Sequence, residues 1–189
     1  MANIVGQLYG FSYRGWVTFA TLLLFLLFFL VLFKRVTETY QTPGEQMFRL
    51  QRAWNAETFK ETLVDWSANN PRAPEIYKWD NLVKLDSFFP LIYSTCFAFA
   101  YAWARGTSRP VNGWDYLFFL VPFCAALFDY CENGFHLYLL HGINTRKQVA
   151  SASFSDVLVH ISTICSYIKL SLFSIGGVAY LVPLVKRVF

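Results

Sequence analysis

Three apolar runs in this chain are long enough to cross a bilayer as helices, and a fourth comes close, which constrains the fold more than any other property of the sequence. A helix rises about 1.5 Å per residue, so about 20 residues cover about 30 Å of hydrocarbon. The long runs are residues 16–33, 116–140 and 157–185; the shorter one, 88–104, is extended by the helix expected before it. Continuous apolar stretches of this kind satisfy their backbone groups in lipid only as helices. Of the 189 residues, 56% are hydrophobic and only 15% charged, an apolar surplus that one soluble core cannot absorb and that must face lipid. The sequence therefore predicts an all-α integral membrane protein, a single membrane domain over residues 1–189 built as a four-helix bundle. The first run is preceded by one basic residue, Arg14, and by no small-residue cleavage site, so it is expected to be a retained signal anchor.

Residues 36–85 form the one sizeable segment outside the runs and read as amphipathic interfacial helices between the first and second spans. Thr42, Pro43 and Glu45 have the N-cap, N1 and N3 pattern of a helix start. Asn55 is expected to cap a second helix whose Phe59, Leu63 and Trp66 recur at helical spacing. Asn69, Asn70 and Pro71 break it, and Pro74 opens a third, on which Ile76, Trp79, Leu82, Val83 and Asp86 share a side and leave Lys78 and Lys84 nearer water. Turn formers between Arg105 and Gly113, with Arg109 near their centre, close a helical hairpin, and His141 to Asp156 joins the last two spans.

All four cysteines, Cys96, Cys124, Cys131 and Cys165, fall inside expected spans, where thiols act as small apolar groups and neither disulfides nor a CxxC metal site is expected. The formal charge of +4 is spread over short loops, without the concentrated basic stripe of a nucleic-acid binder, and points to lipid headgroups. The count of basic residues at the two membrane faces, with Arg14, Arg105, Arg109, Lys186 and Arg187 on one and Lys34, Arg35, Lys78, Lys84, Arg146 and Lys147 on the other, places the long loop inside.

Within the third run, Asp129, Glu132, Asn133 and His136 fall in an arc of roughly 100° at about 100° per residue. Ionisable groups are expensive in hydrocarbon, so this stripe has to face the bundle interior. Counting out from the first hairpin sets Asp86 opposite Glu132, and the fourth run adds Ser162, Ser166 and Lys169 at i, i+4 and i+7. The pattern predicts one polar layer of Asp86, Asp129, Glu132, Asn133, His136, Ser162, Ser166 and Lys169, in which Lys169 pairs with Asp129 or Glu132. Such a layer either locks helix register or carries chemistry.

The donor types of Asp86, Asp129, Glu132 and His136 suit a divalent metal, although the Glu-x-x-His spacing of di-iron bundles is absent and Lys169 repels a cation. Haem ligation by His136, His141 or His160 is a further alternative. Glu132 with His136 offers an acid and a base for lipid chemistry, but no serine or cysteine nucleophile motif accompanies them. No cofactor is expected.

The blocks Leu85-Asp86-Ser87-Phe88-Phe89-Pro90, Phe128-Asp129-Tyr130-Cys131-Glu132-Asn133 and Ile168-Lys169 resemble those of a group of small bacterial four-span integral membrane proteins with no assigned function. Leu50-Gln51-Arg52-Ala53-Trp54, followed by Phe59 and Trp66, is similar to that group's soluble segment, so the likeness covers about Thr42 to Leu172. It implies the four-span fold and the shared polar layer, and carries no activity across. The expectation is an accessory or assembly subunit of a larger membrane complex in a bacterial or organelle inner membrane, with membrane lipids and protein partners or a second copy as its contacts. The alternatives are a membrane-embedded enzyme acting on a lipid or isoprenoid and a proton-coupled carrier using Asp129, Glu132 and Lys169.

Overall fold

A computed structural model of the chain describes residues 2–40, 45–107, 110 and 112–188. These residues are helical in order of α1 (Ala2–Ser12), α2 (Gly15–Tyr40), α3 (Glu45–Gln51), α4 (Ala56–Asn69), α5 (Ala73–Ile76), a π-helix (Tyr77–Leu85), α6 (Phe89–Arg105), α7 (Gly113–Leu139), α8 (Arg146–Ser151) and α9 (Asp156–Val188), with no strand among them. The expected cap at Thr42 and Pro43, and Arg109 of the expected turn, lie outside the described residues. Two segments, Gly113–Leu139 and Asp156–Tyr180, are each long and apolar enough to cross a membrane. Two bent pairs meet the same test jointly, Ile4–Ser12 with Gly15–Val31 at 86° and Ala73–Leu85 with Phe89–Arg105 at 41°, so the number is two and rises to four if each pair is one span.

The chain divides into two compact units, the first comprising Met1–Phe28, Phe89–Leu127 and Lys169–Phe189 and the second Phe29–Phe88 and Phe128–Ile168. In the first, Tyr9, Val17, Ala98, Phe99, Tyr101, Ala102 and Phe119 form the core. Alanines on α6 let the rings of α1 and α7 close over it, with Tyr9 and Phe119 centred 5.4 Å apart.

In the second unit the amphipathic α4 supplies the core. Asn55 caps it by accepting from the Thr58 N–H at 2.8 Å, and Phe59, Leu63 and Trp66, one edge of a 3.6-residue period, are buried to 1% or less. They pack with Leu50, Tyr77, Leu82, Leu140, Val149 and Val159. Cross-links of long sequence separation fix this packing: Thr163 Oγ1 donates to the Ala53 carbonyl at 2.6 Å, the Ala56 N–H to Asp156 Oδ1 at 2.7 Å, and Lys60 Nζ to the Ala152 carbonyl at 3.0 Å.

The segment after Pro74 departs from the expected α-helical face. From Tyr77 to Leu85 the backbone is π-helical, closing i→i+5 bonds, so residues five apart such as Tyr77 and Leu82 share a side. Tyr77, Lys78 and Leu82 are buried, whereas Trp79 is 52% and Val83 36% exposed, the reverse of the expected placement for Lys78 and Trp79. Lys84 is exposed as expected.

Candidate functional site: a closed polar layer

Every member of the α7 stripe turns inward. Glu132 and His136 are each 1% exposed, and Asp129 and Asn133 9%. On α9, Ser162, Thr163 and Ser166 of the same unit are buried to 2% or less. Lys169, one turn further along α9, opens the first unit and is 6% exposed. Asp86 is half-buried in the turn that follows the π-helix. Tyr130 Oη donates to the Ser87 carbonyl at 2.8 Å, which seats that turn against α7 at the level of Tyr130.

His136 is the best-defined member. Its Nδ1 shares a hydrogen bond of 2.9 Å with Tyr77 Oη, and its ring lies 5.4 Å from that of Phe59. Trp66 meets the other side of Tyr77 edge-on at 5.4 Å. An imidazole held this way has one nitrogen committed and its ring fixed by packing, the arrangement that sets a tautomer. Sequence reading did not find Tyr77, since an α-helical period places it away from the face carrying Leu82; a five-residue step from Leu82 finds it.

Removing the Tyr77 hydroxyl tests this bond. Tyr77→Phe keeps the ring packing and leaves Nδ1 without its partner, so unfolding in detergent is expected about 1 kcal/mol earlier, in the range for buried side-chain hydrogen bonds within membranes. An unchanged stability would mean that the hydroxyl contributes nothing to holding His136.

Two buried atoms of the layer, Asn133 Nδ2 and Ser166 Oγ, have no hydrogen-bond partner among the described residues. They are the points in the second unit where a water molecule has most to gain. None of three cavities among the described residues touches the layer. A cleft of about 1080 Å³ lies between α4 and the residues preceding α9, lined by Arg49, Lys60, Glu61, Asp65 and Asp156 among others. An apolar groove of about 520 Å³ runs past Cys131, Gly134, Phe135, Tyr138 and Leu158.

Among the described residues no three His, Cys, Asp or Glu side chains gather as a metal-ligand set, so Asp86, Asp129, Glu132 and His136 do not converge on one point. The physical reason is geometric: Asp129 and His136 stand two turns apart on one stripe, about 10 Å along the axis. Of the other histidines, His141 is exposed, and His160 bonds through Nδ1 to the Asp156 carbonyl at 2.9 Å beneath the edge of Trp54. The four cysteines are free thiols, with Cys96 and Cys165 buried and Cys124 and Cys131 exposed.

A second polar cluster, unforeseen from the sequence, occupies the first unit. Asp115, 1% exposed, accepts from Arg105 Nε at 2.8 Å and Tyr101 Oη at 3.0 Å. It also exchanges backbone-to-side-chain bonds with Asn112, N–H to Oδ2 at 3.3 Å and N–H to Oδ1 at 3.1 Å, a reciprocal cap on α7. The signal that reveals it is Asn112-x-x-Asp115 at a helix start, ten residues after an arginine. No protein-family model matches the chain, and no curated protein or solved structure matches it.

Proposed function

We propose that this chain is a multi-pass membrane protein acting as an accessory or assembly subunit of a larger membrane complex, its polar layer serving to fix helix register. The observation that carries this reading is closure: Asp129, Glu132, Asn133, His136, Ser162 and Ser166 are all buried to 9% exposure or less, and none of the three cavities among the described residues reaches them. A reaction on a lipid or isoprenoid needs an open approach to the acid and base. A register lock needs the opposite, since polar groups sealed among apolar helices make only one alignment tolerable.

In this reading α2, α6, α7 and α9 make a four-span bundle, with residues 36–85 covering one end as interfacial helices. The resemblance of the Leu85–Pro90 and Phe128–Asn133 blocks to small four-span bacterial proteins agrees with it, and the reading puts the chain in a bacterial or organelle inner membrane. Partners or lipids then cover the apolar outer face of α2, where Leu23, Leu27 and Leu30 are 49%, 55% and 61% exposed. The proton-carrier alternative has one observation in its favour, the unpartnered Asn133 Nδ2 and Ser166 Oγ, which offer places for water.

The test is purification in mild detergent with mass determination of bound proteins and lipids, repeated on Glu132→Gln. A stoichiometric membrane protein partner is expected, and Glu132→Gln is expected to lower folded yield and partner together. A variant that folds and keeps its partner but loses turnover of an added lipid, or loses proton uptake in vesicles, would overturn the register role.

A further inference from the structure

The right angle between α1 and α2 decides where α1 lies. The apolar part of α2, residues 16–33, has 18 residues, about 27 Å of helix, the short end of the length that crosses hydrocarbon. A helix set at 86° to a crossing helix runs along the membrane plane. The elbow is built rather than frayed: Thr18 Oγ1 donates to the Ser12 carbonyl at 3.2 Å and the Phe99 carbonyl at 3.3 Å, and Ser12 Oγ donates to the Tyr9 carbonyl at 2.8 Å. A Cβ on Gly15 would stand 3.1 Å from Trp103 Nε1, so glycine lets the start of α2 close on α6.

The depth of α1 follows from its neighbours. Its inner side meets Phe119 through Tyr9, with ring centroids 5.4 Å apart, and the half-exposed Phe11 reaches Phe99 at 6.4 Å with one edge only. Phe99 and Phe119 are each six residues inside the turn-side ends of α6 and α7, at Arg105 and Gly113, which is about 9 Å along a helix. Interfacial helices sit about 5–10 Å into the headgroup–acyl boundary. Exposed aromatic and basic residues of the kind found at headgroup level stand at the helix starts nearby: Trp16 opens α2 and Trp114 opens α7, 65% and 66% exposed, and the Arg14 guanidinium lies 5.7 Å from the Phe11 ring. The outward side of α1 carries Ile4, Leu8 and Phe11 at i, i+4 and i+7, exposed 64%, 45% and 44%.

We propose that α1 is an interfacial foot that lies in the membrane plane at the headgroup–acyl boundary, with Ile4, Leu8 and Phe11 against acyl chains and Arg14 against anionic headgroups. This rests on α2 being a span, as in the reading above. The test uses the wild-type chain in vesicles of phosphatidylcholine and phosphatidylglycerol carrying a diazirine either near the glycerol or at the acyl chain end, with cross-linked residues mapped by mass spectrometry. The glycerol-proximal probe is expected to label Ile4, Leu8 and Phe11 several-fold more than the chain-end probe, with the opposite preference at Leu23 and Leu27. Chain-end labelling of α1 as strong as that of Leu23 and Leu27, or no labelling of α1 by either probe, would overturn the foot. Absence of chain-end labelling at Leu23 and Leu27 would instead remove the spanning role of α2.

Discussion

Asp115→Ala is expected to lower the unfolding free energy in detergent by about 3 kcal/mol, because the buried carboxylate is the common partner of several donors. Arg105, Tyr101 and the Asn112 N–H all donate to it, and Asp115 itself is 1% exposed. Removing one side of a buried ion pair costs roughly 3–5 kcal/mol, and the Arg105 side chain, 33% exposed, recovers part of its hydration, which sets the expectation at the lower end. Asp115→Asn separates charge from hydrogen bonding. The amide oxygen still accepts from Tyr101, but the charge opposing Arg105 is gone, so about half the loss is expected. Denaturant titration followed by tryptophan emission measures both, with Trp103 and Trp114 in the same unit as reporters. Equal stability of Asp115→Ala and the parent would show that the cluster does not hold α6 to α7.

What the sequence reveals and what it hides divide along period and distance. The stripe of Asp129, Glu132, Asn133 and His136 is legible because hydrocarbon tolerates no other orientation for charged groups on a long apolar helix, and all four are buried. The apolar edge of α4 is legible for a related reason: a helix rich in charge but with Phe59, Leu63 and Trp66 at one azimuth has a single way to bury them. Asn55 reads as a cap because its side chain can reach the N–H three residues on, and it does.

The hidden parts need information that no local pattern carries. A π-helix shifts every later side chain relative to an α-helix, so an α-helical projection over Tyr77–Leu85 exposes Lys78 and buries Trp79, opposite to their places. The bond from Thr163 to the Ala53 carbonyl joins positions 110 apart, and threonine in an apolar helix ordinarily bonds its own backbone. The helix before Arg14 was also missed, since Ala2–Ser12 is too short to span and its glycines, Gly6 and Gly10, weaken any propensity signal. Its place comes from packing against Phe99 and Phe119 rather than from its own sequence.

Lys78→Met is expected to cost about 2 kcal/mol, and the reason lies in how α7 ends. The last carbonyls of a helix have no intrahelical partner and carry the negative end of its dipole. α7 closes at Leu139, and Lys78 Nζ donates to the carbonyls of Leu140 at 3.4 Å and Ile143 at 3.1 Å and to Asn144 Oδ1 at 2.6 Å. A cation that is 6% exposed here supplies donors that water cannot reach to replace. Methionine keeps the length of the stem and its packing, so the loss measures the ammonium. Lys84→Met is the natural control: Lys84 bonds Asp80 at 2.7 Å, but its side chain is 70% exposed, and such pairs contribute about 0.5 kcal/mol or less. The ratio of the two losses is therefore the informative quantity. If both variants lose the same small amount, the ammonium of Lys78 is hydrated and the end of α7 is held by Thr145 and Gln148, whose reciprocal cap starts α8, instead. A loss confined to Lys78→Met shows that Lys78, on the buried side of the π-helix with Tyr77 and Leu82, holds that helix end, while Lys84 on the exposed side does not.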